Sequence, residues 1–238
     1  MRLFLLLIAI NTNLLIAYGQ KSDTLKSKKW AIGISASPDL CYRIPYGYYK
    51  YHPGSGVSEN YKQGFCGGIS LQYNFAKKFG AEVSLFYSTK GEKYHYDSFV
   101  WDTPPYGTVY RTPERIVTIT YKYIEIPIKI NYYILNKRLK IFPSLGISTN
   151  LFIGKKTHTT YFYETTTTTE TSKKYSINNI PVVEMAACGG LGLSYDITKK
   201  FCIKLEPNYR CFIRPLQDSP VYGYLYSIGC NVGFYYRF

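Results

Sequence analysis

Eight ionisable side chains stand on the polar side of segments whose other side is apolar: Glu82, Glu125, Glu184 and Glu206, with Lys129, Lys204, Arg210 and Arg237. Four acids set among four bases can line an ion or solute path, share protons in catalysis, or pair off and fill space. A buried charge persists only when paired, because removing its partner leaves a costly uncompensated ion. The reading adopted is an ion-pair network that plugs and orders an interior, with no catalytic residue among the eight. The three histidines, His52, His95 and His158, are expected one in each of three long connections. His95 lies near Asp97, a spacing open to general-base chemistry, and three imidazoles are enough for zinc. No nucleophile stands at a recognisable spacing from them, so they are expected to be solvated loop residues, with no metal and no cofactor. Cysteines 41, 66, 188, 202, 211 and 230 show no CxxC spacing and are expected to be small buried residues, mostly within strands. One disulfide stays open if the chain is exported.

The elements that hold these charges follow from a period of two. In GFCGGISLQYNFA (64–76), Phe65, Ile69, Leu71, Tyr73 and Phe75 share one parity, while Ser70, Gln72 and Asn74 share the other. Such alternation marks a strand with one apolar face. It recurs near 79–89, 123–133, 139–153, 183–195 and 201–213, and again in the closing GYLYSIGCNVGFYYRF. A first strand begins at Trp30 with Ile32 and Ile34, which makes eight. Pro127, Pro143 and Pro207 lack a ladder donor and are expected at bulges.

The connections alternate in length. AKKFG, LNKRL and ITKKF are short, and about 42–63, 94–114, 155–180 and 214–222 are long. Short turns at one end and long loops at the other describe an all-β fold, an eight-stranded antiparallel up-and-down transmembrane β-barrel. A soluble lipocalin-like barrel that binds apolar ligands would put the apolar parity inside. Three features favour the membrane. The polar parity is rich in Gly and Ser, which suits a lumen barely wide enough for its own side chains. The apolar parity carries no charge. Aromatics cluster at strand ends as two girdles: Trp30, Tyr73, Phe75, Phe79, Tyr132, Tyr195, Phe201 and Phe238 near the short turns, and Phe65, Tyr87, Tyr123, Phe152, Tyr209 and Tyr222 near the long loops.

The beginning, MRLFLLLIAINTNLLIAYGQ, has a basic residue, an apolar run and small residues at cleavage spacing, the pattern of a secretory signal peptide over 1–19. A periplasmic N-terminal tail is expected at 20–29 and the barrel at 30–238. With mean hydropathy −0.17, no later stretch reaches the length of a helical span. The net charge of +14 could point to nucleic acid, but export and the lack of an Arg/Lys-rich motif argue against that partner. The Tyr-dense 41–56 would make a sticky binding surface. The Thr-rich 155–174 would form either a protruding hairpin or a flexible, glycosylated tract.

YIEIPIKINYY (123–133) and GCNVGFYYRF (229–238) resemble strands of the PorT-like outer-membrane β-barrel family (outer membrane protein beta-barrel domain). The chain's end also resembles the aromatic signal by which the barrel-assembly machinery recognises its clients, which would fall on Phe234, Tyr236 and Phe238. The resemblance implies a porin-like fold in the cell envelope, in the outer membrane of a Gram-negative bacterium. Its implied partners are outer-membrane lipid, the assembly machinery during biogenesis, and a secretion-system or surface ligand. The expected role is non-enzymatic: envelope structure, surface binding or service in a secretion assembly. The alternative kept beside it is a barrel enzyme with loop residues at its extracellular mouth.

Overall fold

The computed structural model describes residues 29–46, 57–98, 100–103, 108–163, 166–174, 181–215 and 222–238. The expected signal peptide, most of the tail, His52 and residues 47–56 of the Tyr-rich loop lie outside the described residues. The strands in chain order are β1 (Trp30–Tyr46), β2 (Val57–Asn60), β3 (Lys62–Tyr73), β4 (Phe79–Tyr96), β5 (Val100–Thr103), β6 (Thr108–Arg111), β7 (Glu114–Tyr132), β8 (Leu135–Asn136), β9 (Leu139–Phe162), β10 (Thr167–Lys174), β11 (Val183–Asp196), β12 (Phe201–Phe212) and β13 (Tyr222–Arg237). No helix among the described residues is long and apolar enough to cross a membrane.

Eight of these strands close a ring. Antiparallel pairing runs β1–β3, β3–β4, β4–β7, β7–β9, β9–β11, β11–β12 and β12–β13, and β13 pairs back with β1. Closure leaves no open edge, which is the condition for a sheet to stand in lipid. The apolar parity faces out: Leu145 is 72% exposed, whereas its neighbour Ser144 is 1% exposed. The lipocalin-like alternative needs the reverse and does not hold.

β4, β7 and β9 run past the expected ends at 89, 123 and 153. β4 and β7 stay paired up to Tyr96↔Arg115, and β7 and β9 up to Glu114↔Phe162. β2 adds to β4 on one side and β10 to β9 on the other. A five-stranded sheet therefore projects from one wall at the long-loop end, and the Thr-rich stretch is a hairpin within it. The β-branched residues there suit extended backbone.

The prolines depart from expectation. Pairing passes Pro127 at constant register, from Val83↔Ile128 to Phe86↔Glu125, and passes Pro207 from Leu193↔Leu205 to Gly190↔Asn208. Pro143 pairs in register with Leu191. These prolines cost rungs of the ladder and insert no residue. The register shift in the β7·β9 ladder falls at Lys122/Tyr123 instead. It flips the parity of β9, so that Lys155 lies over the inward Tyr121 ring.

The girdle at the short-turn end is outward, with Trp30–Tyr73 centroids 4.4 Å apart and Phe79–Tyr132 5.1 Å apart. At the other end Phe65, Tyr87 and Tyr209 face out. Tyr123 does not: it is fully buried inside, and Phe152 packs against the same inner cluster. The Tyr222 side chain lies outside the described residues.

Gly192 shows what an eight-stranded lumen demands. A Cβ built there would fall onto the Phe142 ring. Gly192→Ala should lower the unfolding free energy in lipid vesicles by about 1–3 kcal/mol, the cost of overpacking a filled core. Gly189→Ala, whose Cβ would meet the flexible end of Leu145 at 3.0 Å and the Ser144 carbonyl oxygen at 3.4 Å, should change it little. Urea titration of both variants checks this.

Candidate functional site

The interior is stacked in layers from the short turns upward. Tyr133, Phe142 and Tyr235 are buried at the lower end, with Ala31 and Cys202. Above them Glu82, Lys129, Lys204 and Glu206 form one cluster. Lys204 Nζ lies 2.5 Å from Glu82 Oε2 and 2.7 Å from Glu206 Oε2. Lys129 Nζ lies 2.7 Å from Glu206 Oε1 and 3.6 Å from Glu82 Oε1. The Ser144 hydroxyl donates to Glu206 at 2.6 Å.

A second cluster lies higher in the barrel. Arg210 bonds Asp39 at 2.8 Å and reaches Glu125 at 3.3 Å, and Lys90 bonds the other Glu125 oxygen at 2.6 Å. Ser37 donates to Asp39 at 2.6 Å. Each cluster holds two acids and two bases, so neither carries net charge. Among the described residues the buried charged groups are six acids and six bases. Neutrality is what a region without water requires, because attraction must offset the cost of desolvation.

Tyr121, Tyr123, Phe212 and Leu225 cap the clusters. Above that cap, Arg43 bonds Glu92 at 3.1 Å, and the Tyr94 and Tyr121 hydroxyls donate to Glu92 at 2.7 and 3.0 Å. Beyond the membrane band, burial and the Glu92 carboxylate push the Tyr94 hydroxyl up, and the same two causes push the Glu59 carboxyl up. A cavity between the clusters, bordered by Lys129, Glu206, Asn208 and Arg210, measures about 10 Å³. That is room for about one water, which is too little for a solute path.

The expected network residues are not all brought together. Glu82, Glu125, Lys129, Lys204, Glu206 and Arg210 join the two clusters. Glu184 is buried but accepts only from the Tyr123 hydroxyl, at 3.1 Å, and no base among the described residues pairs with it. Its neighbours across the sheet and in the cap are Asn150, Tyr123 and apolar groups, so no cation reaches it. Arg237 sits at the short-turn rim, 2.5 Å from Asp196, away from both clusters. Asp39, Lys90, Arg43 and Glu92 are additional members. Continuing the alternation of β1 past Ile34 would have found Asp39 and Arg43, and continuing β4 past 89 would have found Lys90 and Glu92.

His95 and His158 stand in strands, not loops. His95, on β4, lies 2.8 Å from Glu114 and 3.7 Å from Asp97. His158, on β9, bonds Thr171 across the hairpin at 3.0 Å. Among the described residues no His, Cys, Asp and Glu group has the makings of a metal site. All six cysteines are free thiols, Cys41, Cys66, Cys188 and Cys202 buried and Cys211 and Cys230 half-buried. Phe234, Tyr236 and Phe238 lie on the outward, lipid-side face of the closing strand and its end.

A closed, charge-filled ring with an apolar exterior defines a small transmembrane barrel. The model of the outer membrane protein beta-barrel domain matches residues 42–210. The chain belongs to that family and lies in the outer membrane of a Gram-negative cell. No curated protein matches it. Solved structures with a similar fold include Neisserial surface protein A, at 13% identity over 88% of this chain and 97% of that one, TM-score 0.40. Ail, the attachment invasion locus protein of Yersinia pestis, is 14% identical over 86% and 99%, TM-score 0.37. OprG from Pseudomonas aeruginosa is 11% identical over 89% and 97%, TM-score 0.38.

Glu206→Ala would leave Lys129 and Lys204 with one acid between them. It should destabilise the barrel by about 3–5 kcal/mol, as breaking a buried pair does. Glu184→Gln keeps an acceptor for Tyr123 and should cost less than about 1 kcal/mol. Urea unfolding in vesicles ranks the two, and equal losses would contradict the layered account.

Proposed function

We propose that this protein is a non-enzymatic anchor, sealed across the outer membrane, that works through the sheet it holds above the surface. The observation that carries the reading is the unbroken extension of β4, β7 and β9 from the barrel wall into a five-stranded projection. A flexible loop would have to lose conformational freedom on binding, whereas a sheet continuous with a rigid barrel is already ordered. The face of the projection continuous with the lumen carries Tyr94, Tyr96, Arg115 and Tyr161. Arg115 stacks on Tyr96, 4.4 Å from its ring centroid. Tyr and Arg are the residue types that dominate binding hot spots.

The finer placement among PorT-like chains rests on the resemblance of 123–133 and 229–238. In that setting the surface bound by the sheet would belong to a secretion assembly. The rival reading, an enzyme at the mouth, has an imidazole held by two carboxylates. No hydroxyl or thiol bonds His95 among the described residues, so this reading lacks its nucleophile.

The test compares three variants in cells deleted for the protein. Replacing residues 157–172 by a short turn should leave the barrel heat-modifiable in the outer membrane but reproduce the deletion phenotype. His95→Ala and Glu184→Gln should behave as wild type. Restoration by the trimmed barrel, or loss through His95→Ala alone, would overturn the reading.

A further inference from the structure

The chain carries a net charge of +14, and among the described residues the buried acids and bases are equal in number, so the lumen contributes nothing to the surplus. One part of it sits on the short turns, at Lys77, Lys78, Lys137, Arg138, Lys199 and Lys200. Another part lies on the outward face of the projecting sheet. The cross-strand pairs Thr118↔Lys93, Thr120↔Lys156 and Lys156↔Lys173 put Lys93, Lys156 and Lys173 on that face, and Lys122 lies one step below. The inward neighbours confirm the sidedness, since Tyr121 and Tyr123 are fully buried.

Height on the wall gives this face its meaning. The outward apolar belt of β7 ends at Ile124, opposite Tyr87 of β4 and Leu151 of β9. Lys122 is two residues further, about 7 Å along the strand, and the Lys156–Lys173 pair about 7 Å beyond that. Lysine stems can lie along the wall and carry the ammonium back toward the lipid surface. Among the described residues none of these four lysines forms an ion pair. The acids on the same face, Glu114 and Asp97, stand nearer the tip and are engaged by His95. The face therefore has a basic band beside the membrane and acids only above it.

We propose that Lys93, Lys122, Lys156 and Lys173 form a binding face for the phosphate groups of outer-leaflet lipid. The band is continuous with the lipid-facing belt, so a lipid packed on Ile124 and Leu151 brings its head group to Lys122 and the lysines above it. Basic residues held at a membrane surface each contribute about fivefold to the attraction for anionic head groups. This contact goes beyond the display role and stands whether or not the opposite face of the sheet binds a partner.

The test reconstitutes the full barrel into phosphatidylcholine vesicles containing diphosphoryl lipid A and measures retained lipid A by native mass spectrometry. Wild type should retain at least about fivefold more than a variant with all four lysines changed to Gln. A variant with Lys77, Lys78, Lys199 and Lys200 changed to Gln should retain as much as wild type. Dephosphorylated lipid A should drop wild type to the level of the first variant, an arm that needs no mutant to fold. Equal retention by wild type and the first variant overturns the proposal, as does equal loss from the short-turn variant. Inorganic phosphate that displaces the lipid A completely would assign the site to a soluble anion and overturn the lipid assignment.

Discussion

Charge neutrality in a lumen with room for little more than one water is the constraint on which the rest of this structure depends. Eight strands enclose only enough space for their own side chains. Every ionised group inside must then find its counter-charge in the barrel, and Glu82, Lys129, Lys204 and Glu206 do so at 2.5–3.6 Å. The second cluster repeats the solution with Asp39, Lys90, Glu125 and Arg210. Each cluster ties together at least three strands, so the ion pairs brace the ring from within while backbone hydrogen bonds close it from without. The glycines and serines of the inward parity follow from the same constraint, because large side chains opposite the clusters would not fit.

Much of this was legible in the sequence, because a period of two separates the faces of a strand without knowledge of its partners. The alternation in 64–76 and 123–133 identified both the strands and the sides on which Glu125, Lys129 and their counterparts lie. It failed where its premise failed. A β-bulge changes parity within one strand, so the outward run of β9 gives way to the inward Lys155. Tyr123 shares the parity of Glu125 on β7, and so lies in the core and not in the girdle. Pairing partners were illegible too. Glu82 and Lys204 are 122 residues apart, and only ring closure brings them together. Glu184 had the same sequence signature as Glu206 but found Tyr123 across the lumen instead of a lysine.

The extension of the wall was hidden for a different reason. Residues 90–96 and 114–120 are polar or mixed on both faces once they leave the membrane, so alternation no longer marks them as strands. Their pairing is inherited from the barrel below, which fixes the register and prolongs it. The proposed sites of function therefore lie off the axis. The cavity between the two charge clusters has room for only about one water, and both proposed contacts lie on the faces of the projecting sheet. One of these carries tyrosines and Arg115, and the other lysines beside the membrane.

The most direct test of the central claim is electrical. The refolded wild-type barrel in a planar lipid bilayer should show no steady conductance, because paired side chains occupy the whole cross-section. A variant with Glu82, Lys129, Lys204 and Glu206 all changed to Ser should either leak or fail to close, as judged by loss of its heat-modifiable band. Stable, ion-conducting openings from the wild-type protein would contradict the account.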